Sequence, residues 1–244
     1  MKIHINSKVV SLIGIGIVGL AMGCGALAQD HSMTGDPRPE STAVSPIPLS
    51  PSKGSEIGFV YEAFLSPQQE GGEEEDTPAL IPPQFRSTAP SVARNDRKDR
   101  GHAVVEFTND LSRAFVFLAV ENVAAEDVVM LHLHCGRPGQ LGPIIIDFSM
   151  AASLTTYLAD GTMSIEITNE DIEAVATSGQ GPIDAFTLGC PIIPAIPNDK
   201  VKTIAGLKLI ADAGELYFNL HTKGQVYFGD IRGQFSPVAL NGSK

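Results

Sequence analysis

"HAVVEFTNDLSRAFVFLAV", residues 102–120, sets two apolar-rich runs on either side of the turn cluster TNDLS. Side chains along a β-strand alternate between its two faces, so the stretch reads as two strands joined by a tight turn. The same signal recurs on both sides of it. "EIGFVYEAFL" (56–65) precedes it, and "DVVMLHLH" (127–134), "IIIDF" (144–148) and "TMSIEIT" (162–168) follow. Asp160-Gly161 is a turn pair in front of the last of these. "ELYFNLHT" (215–222), the turn KGQ and "VYFGDIRGQF" (226–235) close the chain with two more strands. In 127–134 the alternation places Val129, Leu131 and Leu133 on one face, and Val128, Met130, His132 and His134 on the other. Only two segments carry helical signals. "TNEDIEAVA" offers Thr168 or Asn169 as an N-cap with acids in the first turn. "DKVKTIAGLKLIADAG" spaces Val201, Ile204, Leu207 or Lys208, and Ala211 helically and stops at Gly214. The expected fold is all-β, an antiparallel β-sandwich or barrel with one or two short helical connections, over residues 55–238.

The flanks read differently. Lys2 and Lys8 precede an apolar run that ends at Ala26-Leu27-Ala28, the pattern of a cleaved signal peptide over residues 1–28. Within it, Ala21-Met22-Gly23-Cys24 loosely resembles a lipobox, so lipid anchoring through Cys24 is the alternative. Either route exports the chain and leaves no transmembrane span in the mature form. Residues 29–54 are rich in Pro, Ser and Thr and read as a flexible linker. Residues 71–100 form a charged excursion, and Glu73-Glu74-Glu75-Asp76 reads as a solvated loop in preference to a calcium site, because it lacks the ligand spacing of an EF-hand. Residues 239–244 are a tail. The net charge of −11 excludes nucleic acid as a partner, since phosphate binding requires a basic footprint. Three cysteines are present, and loss of Cys24 with the signal leaves Cys135 and Cys190. An even pair in an exported domain reads as one disulfide.

"MLHLHCGRPGQLGPIIIDF" (130–148) resembles the core of the chordin-type (CHRD) domain, where a strand with His-x-His leads into a glycine-rich loop. "GELYFNLHTKGQVYFGDIRGQF" (214–235) resembles its C-terminal block, and "AFLSPQQEGG" (63–72) loosely resembles its opening block. The likeness spans roughly residues 54–237. The family's usual Pro-Gly pair is replaced by Val226-Tyr227-Phe228-Gly229, its common Glu by Asp230, and its common Asn-Gly by Leu141-Gly142. The resemblance implies an all-β extracellular domain. Members include chordin, which binds secreted growth factors, and many bacterial exported proteins of unassigned role.

The residues that carry chemistry are few. His132 and His134 share a strand face, and His221 shares one with Asn219 on another strand. If those strands are neighbours the three histidines converge, an arrangement resembling the copper corner of copper–zinc superoxide dismutase and suited to copper or zinc. That enzyme's bridging histidine and zinc aspartate have no counterpart. Hydrogen-bonded structural histidines, paired with backbone or with Asp230 or Glu215, are the commoner case, and the sequence alone favours them. Asn219, Asp230 and Arg232 form a polar cluster that reads either as a carboxylate-binding site or, more often, as structural pinning. No activated nucleophile and no phosphate loop is present. The chain therefore reads as a non-enzymatic exported binding or structural module, with an unknown protein or small ligand outside the cytosol as its partner. The alternative is a copper- or zinc-binding sandwich with redox activity, in which metal affinity falls below about pH 6.5, the ordinary histidine value.

Overall fold

The computed structural model describes residues 50–150, 153–178 and 201–239. The chain divides into Met1–Pro48 and Leu49–Lys244, and the described residues fall in the second unit. The signal peptide, Cys24, most of the linker, Cys190 with its loop, and nearly all of the tail lie outside them.

Two antiparallel sheets form a sandwich. The strands are β1 (Ile57–Leu65), β2 (Arg100–Thr108), β3 (Ala114–Glu121), β4 (Val128–Cys135), β5 (Ile144–Asp147), β6 (Thr162–Ile167), β7 (Leu216–Thr222), β8 (Ile231–Gln234) and β9 (Ser236–Pro237). One sheet has the order β6-β3-β2-β1-β9 and the other β5-β4-β7-β8. Ala103, Val105 and Phe107 from β2 and Val116 and Leu118 from β3 face Leu131, Leu133, Phe218 and Leu220 from the other sheet, all essentially without solvent contact. Phe148 stacks on Phe218 with ring centroids 5.5 Å apart. Burying one such ring stabilises the fold by roughly 1.5–3 kcal/mol.

At one side the sheets meet. Ser66, just past β1, exchanges two backbone hydrogen bonds with Arg232 of β8, at 2.9 and 3.2 Å. Gly233 allows this approach, because a Cβ there would stand 3.0 Å from the Leu65 side chain. At the other side α2 (Asn169–Ser178) packs on β5, burying Ile172 and Val175. A single turn, α1 (Leu154–Tyr157), precedes β6. The third helix, α3 (Ile204–Asp212), is capped by the Thr203 side chain, which accepts from Gly206 N at 3.1 Å. The Asn169 side chain accepts from Ile204 N at 2.8 Å and so ties the start of α3 to the start of α2.

Four details depart from the sequence reading. The last strand runs only over Ile231–Gln234, and 226–230 is a loop in which Gly229 takes φ +108°. A ninth strand, Ser236–Pro237, returns to pair with β1. In β4 the register shifts between Val128 and Met130, so Val128 joins the core and Val129 is exposed. The excursion after β1 is built into the fold. Glu74–Asp76 form a 3-10 turn, with Glu73 at its N-cap in a capping box. Glu73 accepts from Arg97 at 3.1 Å and from the backbone of Arg94 at 2.9 Å, while Glu74 accepts from Ser87 N at 2.9 Å.

Candidate metal centre

His132, His134, Asn219, His221 and Arg232 lie on the outer face of the β4–β7–β8 sheet. Core-facing Leu131, Leu133 and Cys135 of β4 alternate with Met130, His132 and His134, and core-facing Leu216, Phe218 and Leu220 of β7 alternate with Tyr217, Asn219 and His221. Register aligns His132 with Asn219 and Arg232, His134 with Tyr217 and Gln234, and Met130 with His221. An outer sheet face normally meets water. Here His132, His134 and His221 are only 2%, 7% and 4% exposed.

Three segments cover this face. The loop 136–143 folds back so that Gly142 O accepts from His134 Nδ1 at 2.9 Å, while Gly142 N donates to Tyr217 Oη at 3.1 Å. A Cβ on Gly142 would stand 1.6 Å from Cys135 O, so no other residue fits there. The loop 226–229 places Val226 O 2.7 Å from His221 Nδ1 and Phe228 O 2.8 Å from Asn219 Nδ2. The excursion then closes over that loop. Arg97 donates to Gly229 O, Asp230 O and Asp230 Oδ1, and Gly72 packs on the Phe228 ring.

These bonds fix the histidine tautomers. A carbonyl oxygen only accepts, so Nδ1 carries the proton in neutral His134 and His221, and each Nε2 keeps its lone pair. The Nε2 side of His132 faces Asp147 Oδ1 at 3.7 Å. That carboxylate favours a proton on Nε2 and leaves the lone pair on Nδ1. The three nitrogens so identified, His132 Nδ1, His134 Nε2 and His221 Nε2, are buried and have no hydrogen-bond partner among the described residues. One ring nitrogen from each residue lies within 4.8 Å of the others. A triangle with sides no longer than 4.8 Å has a point within about 2.8 Å of every corner (4.8/√3). Zinc–imidazole bonds are about 2.0–2.1 Å, so each ring need advance by less than about 1 Å to share an ion. Among the described residues no other group of His, Cys, Asp or Glu has this arrangement.

Burial depresses all three imidazoles. It holds His132 well below the ordinary range, with the neighbouring His134 and His221 adding to the effect. Burial, reinforced by His221, lowers His134 to about 3, and burial lowers His221 to about 4, with the Gly142 and Val226 carbonyls opposing the shifts. All three are neutral at pH 7, the state a metal requires.

Beside the trio lies a second, ionic layer. Tyr217 stacks on His134 with centroids 4.8 Å apart and planes 3° from parallel. The Arg232 guanidinium lies 3.5 Å from the Tyr217 ring centroid. It donates to Gln140 O, Arg137 O and Gln234 Oε1 at 2.7, 2.8 and 3.2 Å, so its fork is occupied by the loop that also orients His134. Burial raises the Glu70 carboxyl far above its usual range, opposed by Arg232 and Arg97. Asp230 is pushed up to about 6 by burial and by Asp99, against the pull of Arg97. The carboxylates expected to hold a histidine are engaged elsewhere: Asp230 with Arg97, and Glu215 with Arg137 at 3.0 Å.

The CHRD domain family matches residues 84–235. The chain belongs to the CHRD family. No curated protein and no solved structure matches it. The match takes in β2 to β8, and with them all three histidines, Asn219, Asp230 and Arg232. CHRD domains are typically extracellular, and no described helix is long and apolar enough to cross a membrane.

Tyr217, Asp147, Glu70, Arg97 and Gly142 were not singled out by the sequence. Tyr217 had a signal, since it shares the alternation of Asn219 and His221. Asp147 ends strand β5 opposite His132, and Glu70, Arg97 and Gly142 reach the site through segments that have no periodicity.

Proposed function

We propose that this CHRD domain acts outside the cytosol as a non-enzymatic binding module, and that its buried ligand is one transition-metal ion, copper or zinc, held by His132, His134 and His221. The observation that carries the reading is the set of three partnerless, buried ring nitrogens. Each buried polar atom left without a partner costs about 1–3 kcal/mol. Three such atoms, on rings that each bring one nitrogen within 4.8 Å of the others, are accounted for if an ion takes their lone pairs. Gly142 O, Val226 O and Asp147 then act on the outer ring nitrogens, orienting the ligands.

The metal content of the purified full chain and its variants tests this. One ion per chain is expected for the wild type and for His102→Gln, and none for His134→Gln or His221→Gln. Burial shifts the expected pH dependence. The histidines stay neutral well below pH 6.5, so binding should be flat from pH 8 to about 5 and fall only near pH 4. The metal-free fold behaves differently, because its unfolded histidines protonate near the ordinary value of about 6.5. The depressed histidines therefore contribute stability that is complete above about pH 6.5 and is lost as pH falls towards 4 and 3. Asp230 and Glu70, with raised values, oppose that loss. Binding that falls tenfold per unit from pH 6.5 downwards would contradict a buried trio.

Export rests on the signal-peptide pattern of residues 1–28, with lipidation at Cys24 as the other route. We also propose a disulfide from Cys135, on the core side of β4, to Cys190. It would close a loop of about 55 residues, a link worth roughly 4 kcal/mol in the chain-entropy model. Cys190→Ser should lower the melting temperature under oxidising conditions, with little further effect of reductant. Two free thiols titrated in the folded chain would contradict the link.

A further inference from the structure

Resting on that reading of the trio, we infer that the ion it is built for is monovalent copper. The ligand set is the first ground. Three neutral imidazoles contribute no charge, and among the described residues no carboxylate or thiolate joins their group. Among the described residues the acid paired with a ligand ring is Asp147, which approaches the outer nitrogen of His132 and already accepts from Ser149 N and Oγ at 2.9 and 2.5 Å. Its negative charge is matched on the other side of the trio by Arg232, stacked through Tyr217 onto His134. The surroundings thus leave the ion's own charge uncompensated.

Burial is the second ground. The cost of moving an ion out of water grows with the square of its charge, so a divalent ion here pays about four times the penalty of a monovalent one. Coordination number is the third. Zinc completes a tetrahedron with a fourth ligand, which in three-ligand sites is water or substrate. These rings are almost fully buried beneath two loops and the excursion. Three imidazoles suffice for a cuprous ion. The fourth ground is softness. Met130 stands opposite His221 in the register and on the same face as His132, so the next side chain in the row is a thioether, a ligand type that selects cuprous copper.

The test is an anaerobic titration of the full chain with cuprous ion against a chromogenic cuprous chelator, and in parallel with zinc against a zinc chelator. One cuprous ion per chain is expected, bound at least 100-fold more tightly than zinc. Met130→Leu should weaken cuprous binding and leave zinc unchanged. Circular dichroism shows whether each variant is folded, and the wild-type comparison alone decides if one is not. Zinc bound by the trio as tightly as cuprous ion would overturn this inference and leave the metal centre standing. No binding of either ion would overturn both.

Discussion

Replacing Arg232 by alanine should destabilise the domain by about 3–5 kcal/mol, the range for removing one partner from a buried ionic group. The side chain is 1% exposed and fills the space over Tyr217. Its loss frees the carbonyls of Arg137 and Gln140 and removes the charge that most opposes the effect of burial on the Glu70 carboxyl. At about 2–4 °C per kcal/mol for a domain of this size, the melting temperature should drop by about 6–20 °C. Arg232→Lys keeps the charge and loses the planar fork, so it should recover only part of the difference. Glu70→Gln placed in the Arg232→Ala background should restore some stability, because the two sites share one charge balance. Urea unfolding gives the numbers. A loss below about 1 kcal/mol for Arg232→Ala would mean that this arginine does not pin the loop 136–143.

Metal should stabilise the domain by a comparable amount. An ion that binds the folded chain alone, at a free concentration about 1,000 times its dissociation constant, adds about 4.1 kcal/mol. The same conversion gives a rise of about 8–16 °C in melting temperature. His134→Gln and His221→Gln should lose the rise. A wild-type chain that melts at the same temperature with and without copper or zinc would remove the ground for a metal centre.

The strands were legible because a half-buried sheet writes a period of two into the sequence. β2, β3, β6 and β7 fall within a residue or two of where that alternation puts them. The faces of β4 were legible only from Met130 onward, since a register shift beside Val128 leaves no mark in composition. The 226–230 segment misled because Val226, Tyr227 and Phe228 look like a strand. Their backbone is spent on His221 and Asn219 instead, and Gly229 turns the chain with a φ that only glycine adopts freely.

The convergence of His132, His134 and His221 needed only that β4 and β7 be neighbours, which the alternation permitted and the register shows. Their burial was not legible. Polar residues on one face of an alternating strand predict a wet face, and here the cover comes from Arg97, Gly72 and Phe228, which reach it from an excursion and a loop. The charge and proline content of residues 71–100 pointed to solvent. Long-range pairing of Glu73 with Arg97 made that segment a lid on the sheet. The tautomers, which decide whether three histidines are structural or ligating, depend on the carbonyls of Gly142 and Val226 and could not be read before the loops were placed.

X-ray absorption at the metal edge of the loaded full chain tests the centre most directly. A first shell of three nitrogens at about 2.0 Å is expected, with the multiple-scattering pattern of imidazole rings. That shell should be lost in His134→Gln. A shell dominated by oxygen, or one unchanged when His134 is replaced, would contradict it.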